Sequence, residues 1–261
     1  MAIITLTTDF GAGNNYTAMM QGVILAINPD VTLVNVTDQI PPQNIKEGAI
    51  VLNETTPWFP KGTIHVAVVD PGVGTDRAIL YAEIGTQRYV LPDNGLLSYL
   101  TKNDKPDRLI RLENREYFMP EVSSTFHGRD IMAPVAAHLS LDVDPTRLGP
   151  PADHFVQLEM PKTEITADRI HGVVEHIDSF GNLVTNISTD MLIGRITDER
   201  VVVVCGLYET WGIRQTYAEQ LEDTFVAIIG SSGRVELAIV GDSAARRLAI
   251  PVGTPIVLAW E

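Results

Sequence analysis

The 261-residue chain has one cysteine. Cys205 follows the apolar run Val201-Val202-Val203-Val204, so an intrachain disulfide and a cysteine-built metal site are both excluded. A buried, inert thiol is expected instead. No run reaches the ~18 apolar residues of a membrane span. The start MAIITLTTDFG lacks the basic region and apolar stretch of a secretion signal, so a cytoplasmic location is expected. Cations are scarce: 19 Lys and Arg stand against 33 Asp and Glu, a formal net charge of -14. Such a surface repels phosphate backbones and anionic lipid. Neither nucleic acid nor membrane is expected as a partner; a small molecule is. There is no GxxxxGK[ST] phosphate loop and no HExxH zinc helix. What is present is ordinary for a soluble domain with a real core: 45% hydrophobic and 20% charged residues.

The first part alternates strand and helix signals. IITLTTD is β-rich and ends in Asp9. GAGNN then breaks the run, and Asn14 or Asn15 is placed to cap a helix. Tyr16, Met19, Met20, Val23, Ile24 and Ile27 follow at helical spacing, and Asn28-Pro29 stops them. VTLVNVTD ends in Asp38. Ile45, Ala49 and Leu52 mark a second helix, and GTIHVAVVD ends in Asp70. AILYAEI and RYVLP around Gly85-Thr86 read as a hairpin, and a last helix runs from about Gly128 to Leu139. This grammar predicts an α/β domain over residues 1–150, with a mixed, mostly parallel sheet flanked by helices. Prolines at 145, 150, 151 and 161 suggest a linker over 151–166. Residues 167–261 carry strand after strand: RIHGVVEHID, LVTNIS, VVVVCG, IRQTYAEQ, FVAIIG, RVELAIV and PIVLAWE. They predict an all-β barrel.

Open α/β sheets bind ligands beyond the carboxyl ends of their strands. Asp9, Asp38 and Asp70 stand at three such ends, although aspartate also starts turns and caps helices. Gly11-Ala12-Gly13 before a helix is a partial dinucleotide fingerprint, but Tyr16 fills the third glycine position, which disfavours a nicotinamide cofactor. More specific are Asp70-Pro71-Gly72-Val73-Gly74 with Arg77 seven residues on, and Thr125-Phe126-His127-Gly128-Arg129-Asp130 at a helix start. In the second part, Asp178 to Asn186 form a dense polar-aromatic turn. Read alone, Asp178 could cap that turn, Phe180 pack inward and Asn182 adopt a positive backbone angle.

In their order and spacing these segments resemble the S-adenosylmethionine hydroxide adenosyltransferases, relatives of the fluorinase and chlorinase enzymes that attach halide to the same molecule. The resemblance rests on TTDFG, INPDV, VVDPGVG with Arg77, LPDNGLL, TFHGRD, IDSFGNLVTNI and SSGRVELA, and spans nearly the whole chain. It implies hydrolysis of S-adenosyl-L-methionine to adenosine and L-methionine, with no further cofactor and no metal. It implies a homotrimer whose sites lie at subunit interfaces. It places a catalytic triad on Asp70, Arg77 and His127. Substrate contacts would fall on Asp9 for the ribose, on Asn14, Asp178, Ser231 and Ser232 for the methionine end, and on Phe180 and Asn182 for adenine. The halogenating relatives carry tyrosines where this chain has Asp70 and His127. A carboxylate beside a halide pocket repels the anion yet accepts a hydrogen bond from water, so water is the expected nucleophile. Three positions depart from the relatives' pattern: Asn14 replaces an acidic residue, and Gly230 and Val240 replace asparagines. The residues alone also allow a magnesium-dependent nucleotide hydrolase using Asp9, Asp38 and Asp70, or a protein that binds a nucleoside or S-adenosylmethionine without turnover.

Overall fold

The computed structural model describes residues 2–260, which form two compact units meeting at Leu158/Glu159 in the sequence. Each has its own apolar core. Among the described residues no helix is long and apolar enough to cross a membrane.

The first unit is the mixed α/β sheet expected. Its elements run β1 (Ile3–Thr8), α1 (Tyr16–Ile27), β2 (Thr32–Thr37), α2 (Ile45–Thr55), β3 (Ile64–Val68), β4 (Ile79–Ile84), β5 (Gln87–Pro92), β6 (Arg108–Arg111) and α3 (Ala133–Ser140). The spatial order is β2-β1-β3-β5-β4-β6. The ladders β1·β2, β1·β3 and β3·β5 are parallel; β4 pairs antiparallel with β5 and with β6. The hairpin closes between Ile84 and Gln87, as the Gly85-Thr86 signal predicted. β6 went unread, because RLIR is short and its outer residues are exposed.

After β1 the chain goes to β2, and after β3 it goes to β4 and β5, in the opposite direction along the sheet. Adjacent strands whose exits diverge open a crevice at their carboxyl ends. Asp9 and Asp70 lie just past the ends of these two strands. Asp38 lies past β2, one strand further out, where its carbonyl accepts from the Gly11 N–H at 2.6 Å.

Both central strands are buried along nearly their whole length, so β-branched and aliphatic residues fill them without alternation. α1 lays Met20 and Ile24 against this sheet. Asn15 occupies its N-cap position without a side-chain cap bond; Asn14 is drawn back to the Phe10 carbonyl instead, at 2.5 Å. α2 is capped by Asn44, which accepts from the Glu47 N–H. α3 is preceded by one turn of π-helix, Gly128–Met132.

The second unit is the barrel expected. Its strands are β7 (Glu164–Ile165), β8 (Arg169–Ile177), β9 (Leu183–Ser188), β10 (Val201–Cys205), β11 (Tyr208–Trp211), β12 (Ile213–Arg214), β13 (Phe225–Ile229), β14 (Arg234–Ile239) and β15 (Pro255–Trp260). They lie in the order β11-β10-β15-β8-β9-β14-β13-β12, with β7 added on β8. The barrel nearly closes: Tyr208 of β11 sets its ring 6.2 Å from that of Phe225 on β13. Cys205 is buried in this core, which pushes its thiol up to about 11. IRQTYAEQ is not one strand. After β12 the chain turns through a 3-10 segment, Tyr217–Glu219, where Thr216 and Glu219 form a capping box. That reciprocal cap satisfies backbone donors that a strand would have left to a neighbour.

Candidate active site

A cavity of about 290 Å³ opens at the β1/β3 crevice, with Asp9, Gln43, Asp70, Phe126 and His127 among its walls. Asp9 reaches it from β1. Its Oδ2 accepts from the Gln43 N–H at 2.7 Å, which leaves Oδ1 for a ligand. Phe10, Tyr16 and Phe126 pack edge to face or tilted, with centroids 5.2–5.6 Å apart, and make one side apolar.

Asp70 and Arg77 belong to the segment that leaves β3. The guanidinium grips the carboxylate with two prongs: Nε donates to Oδ1 at 2.6 Å and Nη2 donates to Oδ2. The two side chains are 4% and 9% exposed, so this is a desolvated pair and not a surface contact. The same Nη2 meets His127 Nδ1 at 3.1 Å. A guanidinium only donates, so Nδ1 accepts, and the ring is neutral with its proton on Nε2. Burial and the Arg77 charge hold the His127 pKa below the ordinary imidazole value, against the opposing pull of Asp70, Asp130 and the Ser123 backbone.

His127 reaches this place because Gly128 lets the start of the π turn sit on the sheet. A Cβ there would lie 3.2 Å from Val68 of β3 and 3.3 Å from the Met20 sulfur of α1. Gly74 does the matching service between loops: its φ is +81°, and a Cβ would stand 2.4 Å from the Ser124 carbonyl oxygen. The segment bearing Asp70 and Arg77 thus lies directly on the segment bearing His127.

The structure therefore brings Asp9, Asp70, Arg77 and His127 together. Asn14 is exposed on the loop after β1, tied to Phe10. Asp9, Asp38 and Asp70 do not form a metal-holding group: Asp70 is committed to Arg77, and Asp38 is not among the walls of the cavity. Among the described residues no group of three or more His, Cys, Asp or Glu is placed to hold a metal ion.

In the second unit, Asp178 and Asn182 form one locked turn. Asp178 Oδ1 accepts from the Phe180 and Asn182 N–H groups at 2.9 and 2.8 Å, and Oδ2 accepts from Asn182 Nδ2 at 2.8 Å. Phe180, between them, is 79% exposed. Ser231 and Ser232 are exposed in the β13–β14 turn, which sits at the far end of β9: Arg234 pairs with Ser188, and the Thr189 N–H reaches the Gly233 carbonyl. Six extended residues separate the two turns, roughly 16–20 Å. Asp178 thus stands with Asn182 and not with the serines. Tyr217 was missed, because its segment was read as a strand; its hydroxyl lies 3.3 Å from Asn182 Nδ2.

An α/β sheet with a polar cavity at its carboxyl edge, followed by a β-barrel, defines the class: a two-unit enzyme built around strand-end carboxylates. The comparisons specify it further. The SAM hydroxide adenosyltransferase N-terminal domain matches residues 4–149, and the C-terminal domain of the same family matches residues 172–257. The chain belongs to this family. The (R)-S-adenosyl-L-methionine hydrolase of Thermus thermophilus is 34% identical, over 98% of this chain and 99% of the relative. A fluorinase of Nocardia brasiliensis is 28% identical, over 90% of this chain and 89% of its own length. An uncharacterized conserved protein from Thermotoga maritima superimposes with a TM-score of 0.92 at 31% identity, over 98% of this chain and 99% of that one.

Proposed function

We propose that the protein cleaves S-adenosyl-L-methionine with water, giving adenosine and L-methionine, and that Asp70, Arg77 and His127 act on the water. The observation that carries this reading is the Arg77 guanidinium, which fixes both oxygens of Asp70 and touches His127 at the wall of the cavity. The substrate already holds its leaving group: sulfur departs as a neutral thioether, so no acid is needed. The water oxygen bonds to C5′ as the C5′–S bond breaks, and the electron pair goes to sulfur. The attacking oxygen then becomes an oxonium, acidic enough for a carboxylate to take its proton. Asp70 is the acceptor in this account, because Arg77 leaves it unused lone pairs, whereas His127 already gives its Nδ1 lone pair to Arg77. Holding water and C5′ in line supplies ~7–11 kcal/mol.

Asp9 Oδ1 is suited to the ribose hydroxyls. The Asp178–Asn182 turn, with exposed Phe180, suits a nucleobase, and Ser231-Ser232 suits a carboxylate or amine. A homotrimer with interfacial sites belongs to the same proposal, and light scattering that reads a single chain's mass would remove it. Chloride is a poor competitor, since Asp70 is anionic beside the cavity.

The Thermus relative is named for the R configuration at sulfur. A rigid site aligns C5′–S with water for one sulfonium epimer only, because the other sends the methionine chain to the opposite side. We extend that preference to this chain. Chromatography after incubation with each epimer and excess chloride is expected to show adenosine and methionine, faster from the R epimer, and no chlorinated adenosine. Chlorinated product, or an intact substrate pool from both epimers, contradicts the reading.

A further inference from the structure

Asp130 is 1% exposed, and no step above uses it. Its carboxylate is engaged on both oxygens. Oδ2 accepts from the Ser123 N–H at 2.9 Å, and Arg129, its chain neighbour, donates from Nε to Oδ1 at 2.6 Å and from Nη2 to Oδ2 at 3.1 Å. Its carbonyl accepts from the Met119 N–H at 2.8 Å. Ser123 in turn accepts the Phe126 N–H on its hydroxyl at 3.1 Å, and the guanidinium of Arg129 lies 5.1 Å over the Phe126 ring that walls the cavity. A buried carboxylate is costly unless it is fully bonded. This one closes a loop that contains His127: residues 123 to 127 lead into the π turn, and the Asp130 side chain ties that turn back to the start of the loop at Ser123.

We infer that Asp130 is a positioning residue for the hydrolysis: by holding the Ser123 backbone and the Arg129–Phe126 stack, it fixes His127 at Arg77 and so keeps Arg77 square on Asp70. The inference rests on the hydrolytic reading above. A π turn at this point, just before α3, fits the role, since such turns are frequent at functional sites.

Asp130 also acts by charge. The charged groups around His127 are Arg77 and Asp70 on the segment after β3, Asp130 on its own turn, and Asp9 and Arg115, which line cavities it shares. Protonating His127 turns Nδ1 into a donor facing a donor, which would push Arg77 away. Activity is therefore lost as pH falls through the His127 pKa, and that limb lies below the ordinary imidazole value of 6.5 because burial and Arg77 lower it. Removing the Asp130 charge removes an upward pull and moves the limb to lower pH. Removing Arg129 leaves that charge less opposed and moves it to higher pH.

The test is a set of three variants. Asp130→Ala is expected to lower kcat about 10–100-fold with KM within about threefold, as for loss of an orienting partner. Asp130→Asn keeps an acceptor for the Ser123 N–H; it should recover most of that rate and shift the acid limb of kcat/KM downward. Arg129→Gln should shift the limb upward. NMR titration of the His127 ring, assigned by its absence in His127→Gln, reads the same shifts without turnover. If Asp130→Ala does not fold, the opposite shifts in Asp130→Asn and Arg129→Gln still decide. Unmoved limbs and an unmoved ring titration overturn the inference, as does Asp130→Ala turning over at the wild-type rate. A wild-type protein that releases no adenosine sinks the hydrolytic reading and the catalytic part of this inference with it, whereas an active protein with unmoved limbs sinks the inference and leaves the reading standing; the ring titration separates the two, since it reports the hold of Asp130 on His127 without turnover.

Discussion

Asp70→Asn is expected to lower adenosine release by about 10²–10⁴-fold with KM little changed, because in the proposed mechanism the substitution removes the water's proton acceptor and not a substrate contact. Asparagine is preferable to alanine here. Arg77 is 9% exposed, and deleting its partner altogether would strand a buried cation, which costs ~3–5 kcal/mol when a buried pair is broken from one side. The amide oxygen still accepts one guanidinium N–H and lessens that cost. Thermal melting run beside the kinetics separates the two effects: a folded, nearly inactive variant is the expected outcome. A folded variant within about threefold of wild-type kcat would mean that Asp70 is a structural partner of Arg77 and no more.

Gly74→Ala is expected to be nearly as damaging, from a residue with no chemistry of its own. Two constraints act together. The φ of +81° costs an L-residue ~1–2 kcal/mol, and the new Cβ would fall 2.4 Å from the Ser124 carbonyl oxygen. Ser124 belongs to the backbone three residues before His127, so the clash cannot be relieved by a rotamer. The Asp70–Arg77 segment must lift from the His127 segment, and a misplacement of ~1 Å costs about 100-fold in rate. Gly85→Ala is the control. Its φ is +58°, but nothing lies within 4 Å of its Cβ position, so it should lose stability alone. If Gly74→Ala kept wild-type kcat, the contact between the two segments would have no catalytic meaning.

Much of this site is legible in the sequence because it hangs on strand ends. Runs such as GTIHVAVVD announce a buried strand and its stop, and the alternation with helices announces the carboxyl edge on which Asp9 and Asp70 stand. What periodicity does not give is strand order. Asp38 ends a strand as clearly as the other two, and only the β2-β1-β3 arrangement shows that the crevice lies between β1 and β3. The reading of Asp70, Arg77 and His127 as a triad rests on the resemblance: before the fold is known, Arg77 could as well be a surface cation. The barrel was legible as a series of short strands, but its small irregularities were not. The capping box at Thr216 and Glu219 overrides the strand pattern of IRQTYAEQ and turns Tyr217 toward Asn182. Register was hidden as well. Asp178 and the serines of the β13–β14 turn look alike as polar turns, yet β9 holds them at opposite ends. Asp130 was visible only as part of HGRD; its burial and its bond to Ser123 depend on a π turn that the helical spacing of this segment does not reveal.

A single turnover in oxygen-18 water, with excess enzyme over S-adenosylmethionine, tests most directly whether a carboxylate directs solvent onto C5′. The account requires the label in the 5′-hydroxyl of the released adenosine, with the mass of the Asp70 peptide unchanged. Unlabelled adenosine together with oxygen-18 in Asp70 would show that the carboxylate itself attacks the carbon and that water only hydrolyses the resulting ester.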